Sequence, residues 1–231
     1  MMPVLVAGAV ITVKLFIATL VISLPLGLPF ALGENSRVLP IRWFSKFYVF
    51  VFRGSPLLLQ LFFFYFLFPF VFNYHISAMN AAILTFSLNY AAYFAEIYRG
   101  GINSIDRGQY EASYSLGLTK GQTMKGIILP QMMRVVLPPI GNEMIVLVKD
   151  TALVSAIGVA DLLKVSRGIV NREVNMLAYI VAVGIYLLMT FVLTVILTRV
   201  EKHFSKYDEE NATLRIVRSR LCVHKLAKHV F

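Results

Sequence analysis

Five polar side chains stand inside otherwise apolar stretches of this chain: Gln60, Asn89, Glu96, Asn142 and Glu143. Polar groups are costly in hydrocarbon, so they face a neighbouring helix or a water-filled cavity, and a set of them can mark the path of a polar solute. Glu96 lies three residues from Arg99 and reads as half of a structural ion pair on one helix face. Asn142 and Glu143 follow Pro138-Pro139, where a distorted helix would present polar groups to a pathway. Helix–helix hydrogen bonding is the competing reading for Glu143, and more so for Gln60 and Asn89. Catalytic chemistry finds little support. There is no Gly-Lys dipeptide and hence no P-loop, no H-E-x-x-H and no G-x-S-x-G, and the four histidines form no cluster. The single Cys222 excludes an internal disulfide framework and a cysteine-based metal site.

The elements that would hold these side chains are membrane spans. Of 231 residues, 58% are hydrophobic and only 15% charged, with a mean hydropathy of +0.73. A soluble domain of this length could not bury so much apolar surface, so lipid must act as solvent for much of it. Apolar segments lie at roughly 4–32, 57–72, 76–95, 132–148 and 176–198. The run Phe62-Phe63-Phe64-Tyr65-Phe66 has strand propensity, but its place inside a long apolar segment without alternation favours helix. The first segment lacks a basic residue before Lys14 and reads as a retained span rather than a cleaved signal, with Lys14 reaching the outer interface.

Lysine and arginine orient the chain. Arg37, Arg42, Lys46 and Arg53 lie in the loop after the first span and Arg99, Arg107, Lys120 and Lys125 in the loop after the third, which the positive-inside rule places in the cytoplasm. The net charge of +10 is concentrated there and in the C-terminal tail, which points to topology and not to a nucleic-acid partner. The expectation is an all-α membrane protein of about five transmembrane helices, N-terminus outside and C-terminus cytoplasmic. It divides into a transmembrane domain at 1–207 and a basic tail at 208–231.

The third connection, about 104–130, is polar but carries unusually ordered punctuation. Asp106 with Gln109, and Thr119 with Gln122, have the spacing of helix N-caps and their reciprocal partners. Gly117 sits where a left-handed C-terminal residue belongs, and Pro130 should end the second short helix. Helix, glycine turn, helix, proline makes a rigid knuckle able to transmit a push.

The spacing of Glu111-Ala112-Ser113, Gly117 and Ile127-Ile128-Leu129-Pro130 resembles the EAA loop of ABC-importer permeases, with Ser113 where alanine is commoner. Further stretches resemble the permeases for polar amino acids (the histidine, glutamine, arginine and cystine group). These are Arg53-Gly54-Ser55-Pro56-Leu57-Leu58, then Ala91 to Ile102 with Ser104-Ile105 and Gly108-Gln109. Leu137-Pro138-Pro139, Asn142-Glu143 and Lys149-Asp150-Thr151-Ala152-Leu153 complete the set, and the resemblance covers roughly residues 5–205. Read physically, Gly54-Ser55-Pro56 can open the second span, and Gly100-Gly101 can bend the chain after the third.

The resemblance implies a permease subunit in the cell membrane, paired with itself or a paralogue and embedded in the lipid bilayer. A cytoplasmic ABC ATPase dimer would bind ATP, leaving this chain without cofactor or metal, and an extracytoplasmic solute-binding protein would deliver the solute. Gly108, Gln109, Glu111, Ala112, Gly117, Ile127, Leu129 and Pro130 would couple to the ATPase. Gln60, Asn89, Asn142, Glu143, Asp150 and Thr151 would line the substrate pathway, with Glu143 offered to the ammonium of an amino acid. The rival is a channel or secondary carrier that needs no ATPase. The tail, where Leu214, Val217, Leu221 and Leu226 alternate with basic residues, is either a basic helix on the inner leaflet or a dispensable extension.

Overall fold

The computed structural model describes the backbone of residues 1–73, 75–174 and 176–227, and side chains as far as residue 204 outside the two internal gaps. All regular structure among the described residues is helical. The chain forms α1 (Met2–Glu34), α2 (Leu39–Gly54), α3 (Leu57–Phe72) and α4 (Ala78–Asn103). After these come α5 (Arg107–Ser115), α6 (Lys120–Thr123) and α7 (Leu129–Asp150). A 3-10 segment, Thr151–Ile157, leads to α8 (Leu162–Glu173) and α9 (Leu177–Ala227).

Two helical stretches, Met2–Glu34 and Leu177–Phe204, are long and apolar enough by themselves to cross a membrane, and the bent pair α2–α3 is a third candidate as one broken span. The apolar segment at 132–148 lies within α7, and that at 76–95 is helical from Ala78 onward, in α4. Small residues draw the helices together. Along α1, Leu5, Gly8, Thr12, Leu15, Thr19, Ser23, Gly27 and Ala31 recur every three or four residues and form the buried stripe. A Cβ on Gly27 would stand 3.1 Å from the Ala91 carbonyl oxygen of α4, a tight contact that glycine relieves. The main core joins α1, α4 and α7, with Phe86, Tyr90 and Phe94 of α4 almost wholly enclosed. A second cluster gathers Leu5 of α1, Leu162 and Ile169 of α8, and Ala178 of α9.

Four local expectations need correction. The stretch after the first span is not a loop: most of it is α2, which buries Ser45, Tyr48 and Val49 and turns 105° into α3. Ser55 does not cap the second span; it is extended, and its hydroxyl donates back to the Val51 carbonyl at 2.7 Å, closing α2 instead. α4 runs unbroken through Gly100-Gly101, because Gly101 serves close packing: a Cβ there would collide with Val136 of α7. Pro130 does not end a helix. A π-helical turn, Met124–Ile128, carries α6 onward, and Pro130 follows directly on that turn at the start of α7. The chain divides into two compact units, Met1–Thr194 and Val195–Phe231, and the second includes α9 from Val195 to Ala227. The side chains of the basic tail at 208–231 lie outside the described residues.

Candidate functional site

The break between α2 and α3 leaves backbone carbonyls without helical partners, and two buried amides supply the donors. Gln60 Nε2 donates to the Phe52 carbonyl at 2.9 Å, to the Ser55 carbonyl at 3.1 Å and to Ser55 Oγ at 2.9 Å. From α4, Asn89 Nδ2 donates to the same Phe52 carbonyl at 2.9 Å and to Gln60 Oε1 at 3.0 Å. These two residues therefore clamp the break, and Gln60 is committed to it.

Beside the clamp lies a cavity of about 470 Å³, enough for a small polar solute. Its walls come from the break (Arg53 to Leu57), from α4 (Asn89, Tyr90 and Tyr93) and from α7 (Glu143, Val146 and Asp150). Glu143 and Asp150 reach one wall because seven residues are two helical turns. Tyr90 donates its hydroxyl to Asp150 Oδ2 at 2.8 Å, leaving the other carboxylate oxygen for a further partner. On the same cavity, the Arg53 guanidinium lies 5.4 Å from the Tyr93 ring centroid. Of the residues expected to line a pathway, Asn89, Glu143 and Asp150 thus share this cavity. Asn142 is exposed and lines none of it, while Thr151 is buried and donates to the Val148 carbonyl at 2.6 Å.

Arg53 also joins a charge chain. It stands 3.5 Å from Glu96, Glu96 pairs with Arg99, and Arg99 Nε lies 2.9 Å from Glu34, whose side chain is only 5% exposed. The expected Glu96–Arg99 pair is therefore present, as part of a larger cluster tying α1, α2 and α4. Sequence reasoning missed Arg53 and Glu34 as site-ordering residues; the available signal was that no acidic residue falls between Glu34 and Glu96.

The segment 104–130 is as ordered as its punctuation suggests. Asp106 caps α5 by accepting from the Gly108 N–H at 2.7 Å, but Gln109 does not reciprocate and instead meets Gln131 at 3.2 Å. Gly117 has φ +76°, with Gly117 N–H on the Tyr114 carbonyl and Leu118 N–H on the Ser113 carbonyl, a Schellman closure. Thr119 and Gln122 form a full capping box. Ser113 is buried and donates to the Gln109 carbonyl at 2.5 Å, which suits a small side chain there. Gly108, Gln109, Glu111, Ala112, Leu129 and Pro130 are exposed, and Ile127 is half-buried beside a groove of about 660 Å³. Tyr114 and Leu116 are exposed apolar side chains on the same knuckle that the motif does not single out.

With this geometry in place, comparison with known proteins gives concordant matches. Residues 23–206 match the family described as binding-protein-dependent transport system inner membrane component. The L-cystine transport system permease protein TcyB of Bacillus subtilis is 39% identical over 207 residues, covering 89% of this chain and 88% of that protein. The arginine transport system permease protein ArtQ of the same organism is 38% identical over 207 residues, covering 89% and 94%. Among solved structures, an amino acid ABC transporter crystallised with histidines superposes with a TM-score of 0.82 at 36% identity, covering 87% of this chain and 94% of that one. The MetNI methionine ABC transporter, 19% identical with a TM-score of 0.71, shares the fold. This chain belongs to the family of inner-membrane components of binding-protein-dependent transport systems.

Proposed function

We propose that this permease imports amino acids, and that the cavity between the α2–α3 break, α4 and α7 receives them. One observation carries the reading: Glu143, Asp150 and Arg53 all line a single cavity. A zwitterion needs an anionic group for its ammonium and a cationic group for its carboxylate, and this cavity offers both. The named relatives, permeases for cystine and arginine, point to the same solute class. ATP is bound by a partner ATPase dimer and not by this chain, which contributes no cofactor or metal site. The knuckle at 104–130 docks on that ATPase through Glu111, Ala112 and Gly117, and Ile127 to Pro130 pass its motion into α7. ATP binding turns the pathway outward, toward a solute-binding protein, and hydrolysis resets it. Five spans with the N-terminus outside fit the charge distribution, and a second permease subunit completes the pathway.

Uptake by the reconstituted complex with its binding protein tests the reading. Wild type should accumulate labelled amino acid only with internal ATP. Glu143→Gln and Asp150→Asn should each cut uptake by about tenfold or more, the cost of one charge-assisted hydrogen bond. Uptake that needs no ATP would favour the channel or carrier, and unimpaired uptake by both variants would remove the cavity from the pathway.

A further inference from the structure

Helix α2 places a second set of groups together, away from the cavity and the knuckle. One face of it packs inward: Tyr48 stacks on Phe30 at 3.8 Å and donates its hydroxyl to the Leu88 carbonyl at 2.6 Å. The opposite face is bare. Trp43, Phe47 and Phe50 are 71%, 66% and 76% exposed, and with Arg42 and Lys46 they surround a hollow of about 420 Å³. Large aromatic side chains exposed to this degree would be unfavourable in water and suit the boundary of a bilayer. Arg42 and Lys46 lie four residues apart, one helical turn, and neither pairs with a carboxylate among the described residues. No acidic residue occurs between Glu34 and Glu96; Glu34 lies within electrostatic reach of Lys46 but is paired with Arg99, so the face keeps a net positive charge.

The helix also has a defined side. α2 starts just after Glu34, which pairs with Arg99, and after Asn35, whose amide meets the Asn103 side chain at 3.5 Å. Asn103 ends the helix that leads into the coupling knuckle. The basic–aromatic face therefore lies at the knuckle end of the bundle, where an anionic inner leaflet would meet it.

We infer that this face of α2 is a binding site for an anionic phospholipid, its headgroup held by Arg42 and Lys46 and its acyl chain lying along Trp43, Phe47 and Phe50. Charge complementarity selects the occupant. A second permease or an ATPase covering this face would leave two cations against its own surface, whereas a phosphate ester answers both. The site does not depend on which solute is carried. A bound lipid would hold α2 at its angle to α3, and so brace the break that bears Arg53.

Trp43 is the only tryptophan in the chain, so its fluorescence reports on this face alone. The full chain is reconstituted in phosphatidylcholine vesicles in which acyl-brominated phosphatidylglycerol or acyl-brominated phosphatidylcholine is titrated over the same range of mole fraction. Brominated phosphatidylglycerol should quench Trp43 at about thirtyfold lower mole fraction than brominated phosphatidylcholine, the enrichment expected from two basic side chains at an anionic headgroup. High salt should erode that preference in the wild type. R42Q/K46Q should lose it, and the charge-conserving R42K/K46R, which controls for folding, should keep it. Equal quenching by the two lipids, or a preference that survives R42Q/K46Q, would overturn the site. Absence of quenching by either lipid would mean that protein covers the face, and would overturn it equally.

Discussion

Gly117 offers the sharpest test of the knuckle, because backbone strain and side-chain contact separate there. Its φ of +76° lies in the left-handed region, yet a Cβ built on it meets nothing within 4 Å. Any substitution penalty must then come from the conformation and not from crowding within the chain. A left-handed alanine costs about 1–2 kcal/mol relative to glycine, asparagine less and a β-branched residue at least the upper end. If the chain relaxes out of this conformation, the Gly117–Tyr114 and Leu118–Ser113 hydrogen bonds break and α5 loses its angle to α6. At about 1 kcal/mol the docking-competent population falls by about fivefold, and at 2 kcal/mol by about thirtyfold. The assay is titration of the detergent-solubilised permease with its ATPase, followed by solute moved per ATP hydrolysed in proteoliposomes. Docking should weaken in the order asparagine, alanine, valine, with Gly117→Asn near wild type. Equal impairment by Gly117→Asn and Gly117→Val would show that any side chain is excluded by the partner, and the strain argument would fail.

Two further substitutions test how the cavity is held. Gly101→Ala should lower the unfolding temperature of the purified chain by several degrees, since its Cβ collides with Val136, and overpacking costs about 1–3 kcal/mol. Adding Val136→Ala should restore part of the loss, and strictly additive destabilisation would exclude the collision as the cause. Asn89→Leu leaves the Phe52 carbonyl and Gln60 Oε1 short of a buried donor, at a cost of about 1–3 kcal/mol. It should weaken solute binding together with thermal stability, and unchanged binding would show that the clamp does not hold Arg53.

What could be read in advance depended on whether a residue's role is local. Gly117, the Thr119–Gln122 box and the Glu96–Arg99 pair are set by neighbours within a few positions, and all three were legible. Gly54-Ser55-Pro56 and Gly100-Gly101 were read as ordinary helix punctuation, but distant partners decide their roles. Asn89 stabilises a break that lies 37 residues earlier in sequence, and Val136 fills the space that Gly101 leaves. Helix α2 was read as a loop because basic residues every few positions mimic a cytoplasmic connection, although they share an amphipathic helix with Trp43 and Phe47. The two carboxylates of the cavity wall stand out on one helix. Arg53 on the same cavity does not, since nothing in its own neighbourhood says which helix it will face.

The same long-range contacts bear on how the proposed push at the knuckle would reach the cavity. From Pro130 to Glu143 along α7 is thirteen residues, about 20 Å of continuous helix, with Pro138 and Pro139 inside it. α7 is not free to slide past α4, because Gly101 lets Val136 sit against the α4 backbone and Tyr90 holds Asp150. α4 in turn is bound to α1 through Gly27, to α2 through Tyr48 and to the break through Asn89. Both walls of the cavity, the carboxylates on α7 and Arg53 at the break, therefore belong to one packed body. Interiors packed this closely are not continuously deformable. A displacement at Ile127 to Pro130 would then move that body as a whole, and a change of access would fall to its boundary with a second permease. On α9, the exposed row of Ile180, Val183, Leu187 and Phe191 leaves ample apolar surface for such a boundary or for lipid.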